Sequence, residues 1–365
     1  MAVDVLSMIP GALRDALAGR DDVWVVGGAV RDALLGREPK DVDLVVAGDA
    51  LALASGLGAV EEVHDRFGTV TAGVDGAAVN IAMARTETYP APGALPEVAP
   101  ASLQDDLARR DFTVNAIAAD LGGGLHEVPG AREDLEAGRL RVLHDRSFLD
   151  DPTRLWRLAR YTARLGFGIE AETERRAREA VAGGALATVS GPRIGNELLL
   201  ALGEPDPVAA LVAASELGLI APSVPRGRIA EALELLPGDG DPGLLALGAV
   251  HAGHDVRPWL DELGVPARER DVIAAVAAAR PIEASRPSAV AAALRGQPVE
   301  VAAWIGATDW VRRLRHVKLE IGGEDLLAAG IAEGPEIGER LQRALDAKLD
   351  GEASGREEEL AAALA

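Results

Sequence analysis

VVGGAVRDALLGREPKDVDLVV, residues 25–46, reads as strand, glycine turn, helix and second strand. The β-branched and aromatic run 23–26 (VWVV) leads into Gly27-Gly28, a helical pattern follows from Ala29 to Leu35, and Gly36 is placed to end it. Val42, Leu44, Val45 and Val46 form the second strand. Two glycines at a strand end let backbone N–H groups approach an anion, and the helix that follows brings its N-terminus and Arg31 to the same place. That arrangement suits a triphosphate, although a strand-Gly-Gly-helix turn by itself is also an ordinary tight turn. Asp41-Val42-Asp43 adds the chemistry. Residues two apart on a strand share a face, about 6.5 to 7 Å apart, so both carboxylates can hold the same pair of divalent ions. Such a two-metal clamp serves in-line nucleotidyl transfer. The plain alternative is two exposed acids flanking Val42.

Outward from this segment, 69–74 (TVTAGV) and 77–83 (AAVNIAM) read as a hairpin about Asp75-Gly76. The proline-rich 90–100 (PAPGALPEVAP) reads as a loop joining two parts of one domain. Beyond about residue 146 strand signals nearly vanish, and Ala/Leu/Arg/Glu segments with helical periodicity take over. Turns are expected at 203–207 (GEPDP), 223–228 (SVPRGR) and 236–243 (LPGDGDPG). The fold class is α+β: a small mixed sheet followed by helices.

A length of 365 residues favours two or three domains. There is no Cys, which excludes disulfides, thiolate metal sites and a cysteine nucleophile, and points to the cytoplasm. The start shows no basic region with an apolar core and cleavage site, only a short amphipathic helix pattern. No stretch is apolar for long enough to span a membrane. With 58 acidic and 37 basic residues the net charge is −21, so attraction to nucleic acid must be local, and a protein that coats DNA is excluded. Residues 146–202 are the basic exception, with nine arginines against seven acids. A second cluster, 310–318 (WVRRLRHVK), carries four permanent cations and suits either phosphate contacts on RNA or a solvated helix face.

Taken together, Gly27-Gly28-Ala29-Val30-Arg31-Asp32 and Asp41-Val42-Asp43 resemble the signature of class II tRNA nucleotidyltransferases and bacterial poly(A) polymerases, within the polymerase β-like superfamily. The resemblance continues in order along the chain. RRDFTVNA (109–116) is similar to the second motif of that family, and Asp134-Leu135 with GRLR (138–141) to its flexible hinge. Asp151-Pro152-Thr153-Arg154, followed by Arg157 and Arg160, resembles the nucleotide-selecting motif. Arg193-Ile194 with Glu197-Leu198 resembles the helix-bracing motif, and 323–341 the tail.

The resemblance implies a polymerase β-like catalytic head over 1–145, a helical neck over 146–202 and a helical body and tail over 203–365 that hold tRNA. It implies addition of CMP and AMP from CTP and ATP to the 3′ end of tRNA, without a template. CC-only, A-only and poly(A) addition are equally compatible with the motifs. In these roles Asp41 and Asp43 hold Mg2+, and Gly27, Gly28 and Arg31 hold triphosphate. Arg110, Asp111 and Asn115 contact the nucleotide or position the segments that do.

Residue chemistry agrees with these roles. Arg holds phosphate in bidentate fashion, and a carboxylate accepts from a ribose hydroxyl. Asp151 and Arg154 are three apart and are expected on one helix face, one accepting and one donating, as a partner base would. A surface ion pair is the plain alternative. Arg157 and Arg160 extend that face.

Three positions depart from the family pattern: Asn80 where a third acid is usual, Asp150 where Glu is usual, and Pro192 before Arg193. Asn80 motivates a reading from another class, a catalytically weakened RNA-binding protein. HAGHD (251–255) could suggest a metal phosphohydrolase, but the only later histidine is His316.

Overall fold

The computed structural model describes residues 4, 7, 9, 11–39, 41–64, 67–74, 76–220 and 223–365. Two compact units result, Met1–Ala201 with Ala213–Ile220, and Leu202–Val212 with Ala221–Ala365.

The first unit opens with helix α1 (Gly11–Leu17), which seats Leu13 and Leu17 in the core. Next come strand β1 (Val23–Val26), α2 (Gly28–Leu34), β2 (Asp43–Val46), α3 (Ala50–Leu57), β3 (Ala59–His64), β4 (Thr69–Val74) and β5 (Ala77–Met83). The strands β6 (Arg85–Thr88) and β7 (Glu97–Pro100) form a separate ribbon, followed by α4 (Leu103–Ala108), β8 (Ile117–Asp120), β9 (Leu125–Glu127) and α5 (Ala131–Glu136). Seven strands make one mixed sheet in the order β3-β4-β5-β2-β1-β8-β9, with β2 and β5 parallel and the other neighbours antiparallel. β1, buried at Val23, Val25 and Val26, pairs on both sides, which accounts for its unbroken apolar run.

The expected hairpin is present, with Val74 opposite Ala77; Asp75 of its turn lies outside the described residues. The proline-rich segment is only partly a loop. Glu97–Pro100 pairs with Arg85–Thr88, and an edge position tolerates its proline.

From residue 146 onward the expectation of helices holds, apart from the two-residue strand Gly168–Ile169, which pairs with Arg139–Leu140. Here the first unit contributes α6 (Ser147–Asp150), α7 (Arg154–Leu165) and α8 (Ala171–Ala182); α9 (Gly191–Leu202) ends where the second unit begins. α7 ends at Gly166, whose left-handed φ of 70° closes the last turn.

In the second unit, the helix Pro242–Val250 is buried at seven consecutive positions from Gly243 to Ala249. It is capped at its start by the Asp241 carboxylate, which accepts from the Gly243 and Leu244 amides. A separate core of Ile321, Leu326, Ala344 and Ala363 packs the last helices. The expected turns at 203–207 and 236–243 run into the helices that begin at Pro207 and Pro242, and the helix after 223–228 begins at Arg226. No helix among the described residues is long and apolar enough to cross a membrane.

Candidate active site

The register of the central strands builds the site. Antiparallel pairing sets Val26 opposite Asp43, so the Gly27-Gly28 turn leaves β1 beside the first carboxylate of β2. Gly27 has φ 67°, and a Cβ there would stand 2.9 Å from Arg110 Nη1. Both the left-handed backbone and the close guanidinium therefore select glycine at this position.

A cavity of about 420 Å3 opens at this point. Gly27, Gly28, Asp43 and Asn115 line it from the sheet side, Arg85, Glu87, Tyr89, Arg109 and Arg110 from the ribbon and α4, and Asp151, Arg154, Arg157 and Tyr161 from the helices after residue 150. All of its arginines except Arg154 pair with carboxylates. Arg109 and Arg110 both pair with Asp106, at 2.6 and 2.9 Å, and Arg109 also reaches Glu87 at 2.7 Å. Burial alone would push the Asp106 carboxyl up, but Arg110 and Arg109 outweigh it and hold the group below the usual carboxylate range. The buried Nε–H groups of Arg110, Arg154 and Arg157 have no hydrogen-bond partner. Orphaned donors on three cationic walls fit an anionic, acceptor-rich ligand.

Beneath the cavity a chain of buried polar groups ties the sheet to the helices. Arg31 bonds Asp32 through Nε at 2.8 Å and donates from Nη1 to Asn115 Oδ1 at 2.6 Å. Asn115 donates to Asp111 Oδ1 at 3.0 Å, and Asp111 Oδ2 stands 3.0 Å from Arg157 Nη2. On α9, Glu197 lies 3.9 Å from Arg157 and 3.7 Å from Arg160. Burial opposes ionisation of Asp111, yet the Arg157 charge and the Asn115 hydrogen bond keep its carboxyl below the ordinary value. Glu197 is pushed up by burial, which Arg157 and Arg160 only partly offset.

Asp151 Oδ1 accepts from Thr153 Oγ1 at 2.7 Å and from Arg193 Nη2 at 3.0 Å, while Arg193 Nη1 donates to the Gly93 carbonyl at 2.7 Å. Arg154 donates from Nη1 to Ser147 Oγ at 2.7 Å and from Nη2 to the Arg109 carbonyl at 2.8 Å. The hinge-like residues are also tied together: buried Asp134 accepts from Thr113 Oγ1 at 2.9 Å and pairs with Arg139 and Arg141 at 3.2 and 2.8 Å.

The donor set near Asp43 suits a hard divalent cation. Asp43 offers carboxylate oxygens at the cavity wall, and among the described residues neither it nor Asp41 has a cationic partner. Asp43 Oδ1 accepts from Asn80 Nδ2 at 3.1 Å, and Asn80 Oδ1 accepts from Thr71 Oγ1 at 3.0 Å. Among the described residues no group of three or more His, Asp or Glu side chains stands together as a metal cage, so the HAGHD segment gathers no further ligands.

With this geometry the chain can be set beside known proteins. A family model of the poly A polymerase head domain matches residues 23–141. An A-adding tRNA nucleotidyltransferase of Geobacter sulfurreducens is 36% identical, over 93% of this chain and 44% of that relative. A CC-adding tRNA nucleotidyltransferase of Deinococcus radiodurans is 35% identical, over 97% of this chain and 87% of the relative. The chain belongs to the tRNA nucleotidyltransferase family. A solved Thermotoga maritima CCA-adding enzyme complexed with tRNA superposes with TM-score 0.75 at 28% identity, over 99% of this chain and 97% of that one. The chain spans less than half the length of the A-adding relatives from Geobacter sulfurreducens, Aquifex aeolicus and Halalkalibacterium halodurans.

Against the expectations from sequence, this nucleotidyltransferase-family head gathers Gly27, Gly28, Asp43, Arg110, Asp111, Asn115, Asp151, Arg154 and Arg157 at one cavity. Three expectations need correcting. Arg31 does not line the cavity; it is 2% exposed, and its charge is spent on Asp32 and Asn115. Asp41 is exposed and precedes β2, which begins at Asp43 because its pairing with β1 ends where Gly27 turns away, so only the second of the two acids lies on the strand. Asp151 and Arg154 do not share a helix face either. Asp151, followed by proline, is extended (φ −132°) beyond α6, and Arg154 opens α7; the turn nevertheless brings both to the cavity.

Arg160 lies behind the cavity, against Glu197 and with its guanidinium 4.8 Å from the centre of the Tyr161 ring. The basic stripe on α7 is thus largely neutralised inside the fold. In the cluster 310–318, Arg313 pairs with Asp309 and Arg315 with Asp239. Sequence reasoning passed over Arg85, Glu87 and Tyr89 as cavity residues, although their alternate spacing puts all three on one side of an extended chain.

Proposed function

We propose that the protein transfers CMP and AMP from CTP and ATP to the 3′ end of tRNA without a nucleic-acid template, from the cytoplasm's nucleotide pool. The observation that carries this reading is the cavity itself: Asp43 on one wall, Arg109, Arg110, Arg154 and Arg157 on the others, and unpartnered buried N–H donors on three of those arginines.

Asp41 and Asp43 would hold Mg2+, which when bound favours the deprotonated primer hydroxyl and offsets charge on the departing pyrophosphate. The chain's own groups bind and orient. The Gly27-Gly28 turn leaves room for phosphate oxygens, and Arg110 donates to them from the same side. Asp151 accepts from the exocyclic amine of cytosine or adenine, while Arg154 donates to the adjacent ring acceptors; a uracil or guanine edge would oppose this donor order. Asp111, Asn115 and Arg31 keep these parts in register, and Arg193 and Glu197 brace them from α9.

In this assignment 1–145 is the catalytic head, 146–202 the nucleotide-selecting neck and 203–365 the body and tail that hold tRNA. A CC-only reading is favoured by the near-full-length likeness to a CC-adding relative. Sequencing the products from tRNA ending before CCA, and from tRNA ending in CC, with CTP and ATP separately and together, tests the proposal. Addition of CCA to the first substrate supports the full reading, a stop at CC supports the alternative, and no addition to either substrate removes both.

A further inference from the structure

One side chain behind the base-reading pair is absent from every role assigned above. His144 Nε2 stands 3.5 Å from Arg154 Nη1, and its Nδ1 faces Asp150 Oδ2 at 3.9 Å. Arg154 therefore meets a row of acceptors: Ser147 Oγ and His144 Nε2 on Nη1, and the Arg109 carbonyl on Nη2. Of its five N–H groups this leaves Nε–H, buried without a partner, and one N–H of Nη2. Those two nitrogens are neighbours on one edge of the guanidinium, the edge that remains for a base.

We propose that His144 positions Arg154 for reading the nucleobase, and that protonation of His144 relaxes nucleotide selection. The proposal rests on the assignment of Asp151 and Arg154 as the base-reading pair. An arginine only donates, so His144 must present a lone pair at Nε2 and carry its proton at Nδ1, toward Asp150. A second proton at Nε2 would set N–H against N–H and a cation against a cation, and would turn the guanidinium away from its fixed edge.

The charged groups facing the ring are Arg154 from α7, Asp150 from α6, and Asp145 and Arg146 from the stretch that leads into α6. Asp150 is itself held by Arg146 at 3.2 Å. Burial and then Arg154 favour the neutral ring, Asp150 and Asp145 oppose them, and the balance keeps the imidazole below its ordinary value. The protein therefore holds His144 neutral at neutral pH, and that state is lost only as pH falls below the ordinary imidazole range.

The test is the ratio of CMP to UMP incorporation on a tRNA ending before CCA, measured from about pH 8 to about pH 5.5. The ratio cancels any effect of pH on the primer hydroxyl that is common to both nucleotides. In the wild type it should fall about tenfold on acidification, as expected for loss of one buried hydrogen bond. His144→Gln keeps an acceptor that does not titrate and should give a flat profile near the wild-type neutral value. His144→Lys should be low at every pH. Thermal melts confirm that each variant is folded.

Identical sloping profiles for wild type and His144→Gln would overturn the proposal, as would full discrimination in His144→Lys. Arg154→Ala run alongside separates the two ideas. If it keeps its nucleotide preference, the base-reading assignment fails; if it loses preference while the His144 variants do not, only the role of His144 fails.

Discussion

Asn80 donates its amide to the Asp43 carboxylate at 3.1 Å, directly across the parallel pairing of β2 and β5. At the position where the resemblance leads one to expect a third acid, the fold therefore offers Asp43 a neutral donor. Asn80→Asp would set two carboxylates side by side, a pair that cannot both ionise without a cation between them. The expected outcome is a larger rise in melting temperature on adding Mg2+ than in the wild type, and CMP incorporation faster by about 10²-fold. Magnesium titration with both readouts checks this; no gain in either would show that the third charge is not missing from the site.

Of the two acids proposed to hold the cation, Asp43 is the one that lines the cavity. Asp43→Ala should abolish incorporation while leaving the melting temperature and tRNA binding near the wild-type values. Asp41→Ala should do the same if Asp41 shares the ion. Retained turnover above about one per cent in the double variant, against the several orders of magnitude such ligands contribute, would contradict the assignment.

Arg31 sits in the floor and not in the cavity, and its substitution should be read as a stability experiment. Arg31→Met removes the donor of the Asn115 side-chain carbonyl and leaves Asp32 only Arg164, at 3.5 Å, so it should cost about 3 kcal/mol in chemical denaturation. Triphosphate affinity of the protein that remains folded should change little. A stable Arg31→Met protein with weakened triphosphate binding would restore Arg31 to the phosphate site.

His251 gives a pH dependence of known sign. Its ring packs 5.1 Å from Trp259, its Nε2 is buried without a partner, and burial, then His254, hold it below the ordinary histidine value. The unfolded chain takes up this proton first as pH falls through about 6.5, so the stabilising effect of the neutral ring is present above that pH and lost below it. His251→Phe, which keeps an aromatic ring against Trp259, should gain stability over the wild type at about pH 5.5 relative to about pH 8, measured by urea unfolding. An equal difference at both values would mean the ring is solvated.

Much of the head is legible in the sequence because local chemistry and topology agree. VWVV followed by Gly-Gly could only be a strand running into a sharp turn, and the D-x-D acid fell beside that turn once β1 and β2 paired. What could not be read was which partner each charge would choose. Arg31, Arg157 and Arg160 look alike in sequence, yet Asp32, Asp111 and Glu197, distant in sequence from one another, decide that the first and last serve the floor while Arg157 also faces the cavity. The Asp151-Arg154 spacing suits one helix face; Pro152 interrupts the helix locally, and the turn brings both residues to the cavity by another route.

The most direct test of the central claim is single-turnover extension of a synthetic tRNA acceptor arm ending before CCA, with CTP as the only nucleotide and no other nucleic acid present, comparing wild type with Asp43→Ala. The wild type should add CMP with matching release of pyrophosphate, and Asp43→Ala, binding the arm equally well, should add none. Wild-type protein that binds both arm and CTP but adds nothing would contradict the claim; addition of AMP to an arm ending in CC would then mark an A-only enzyme, and no addition there an RNA-binding protein with an inactive head.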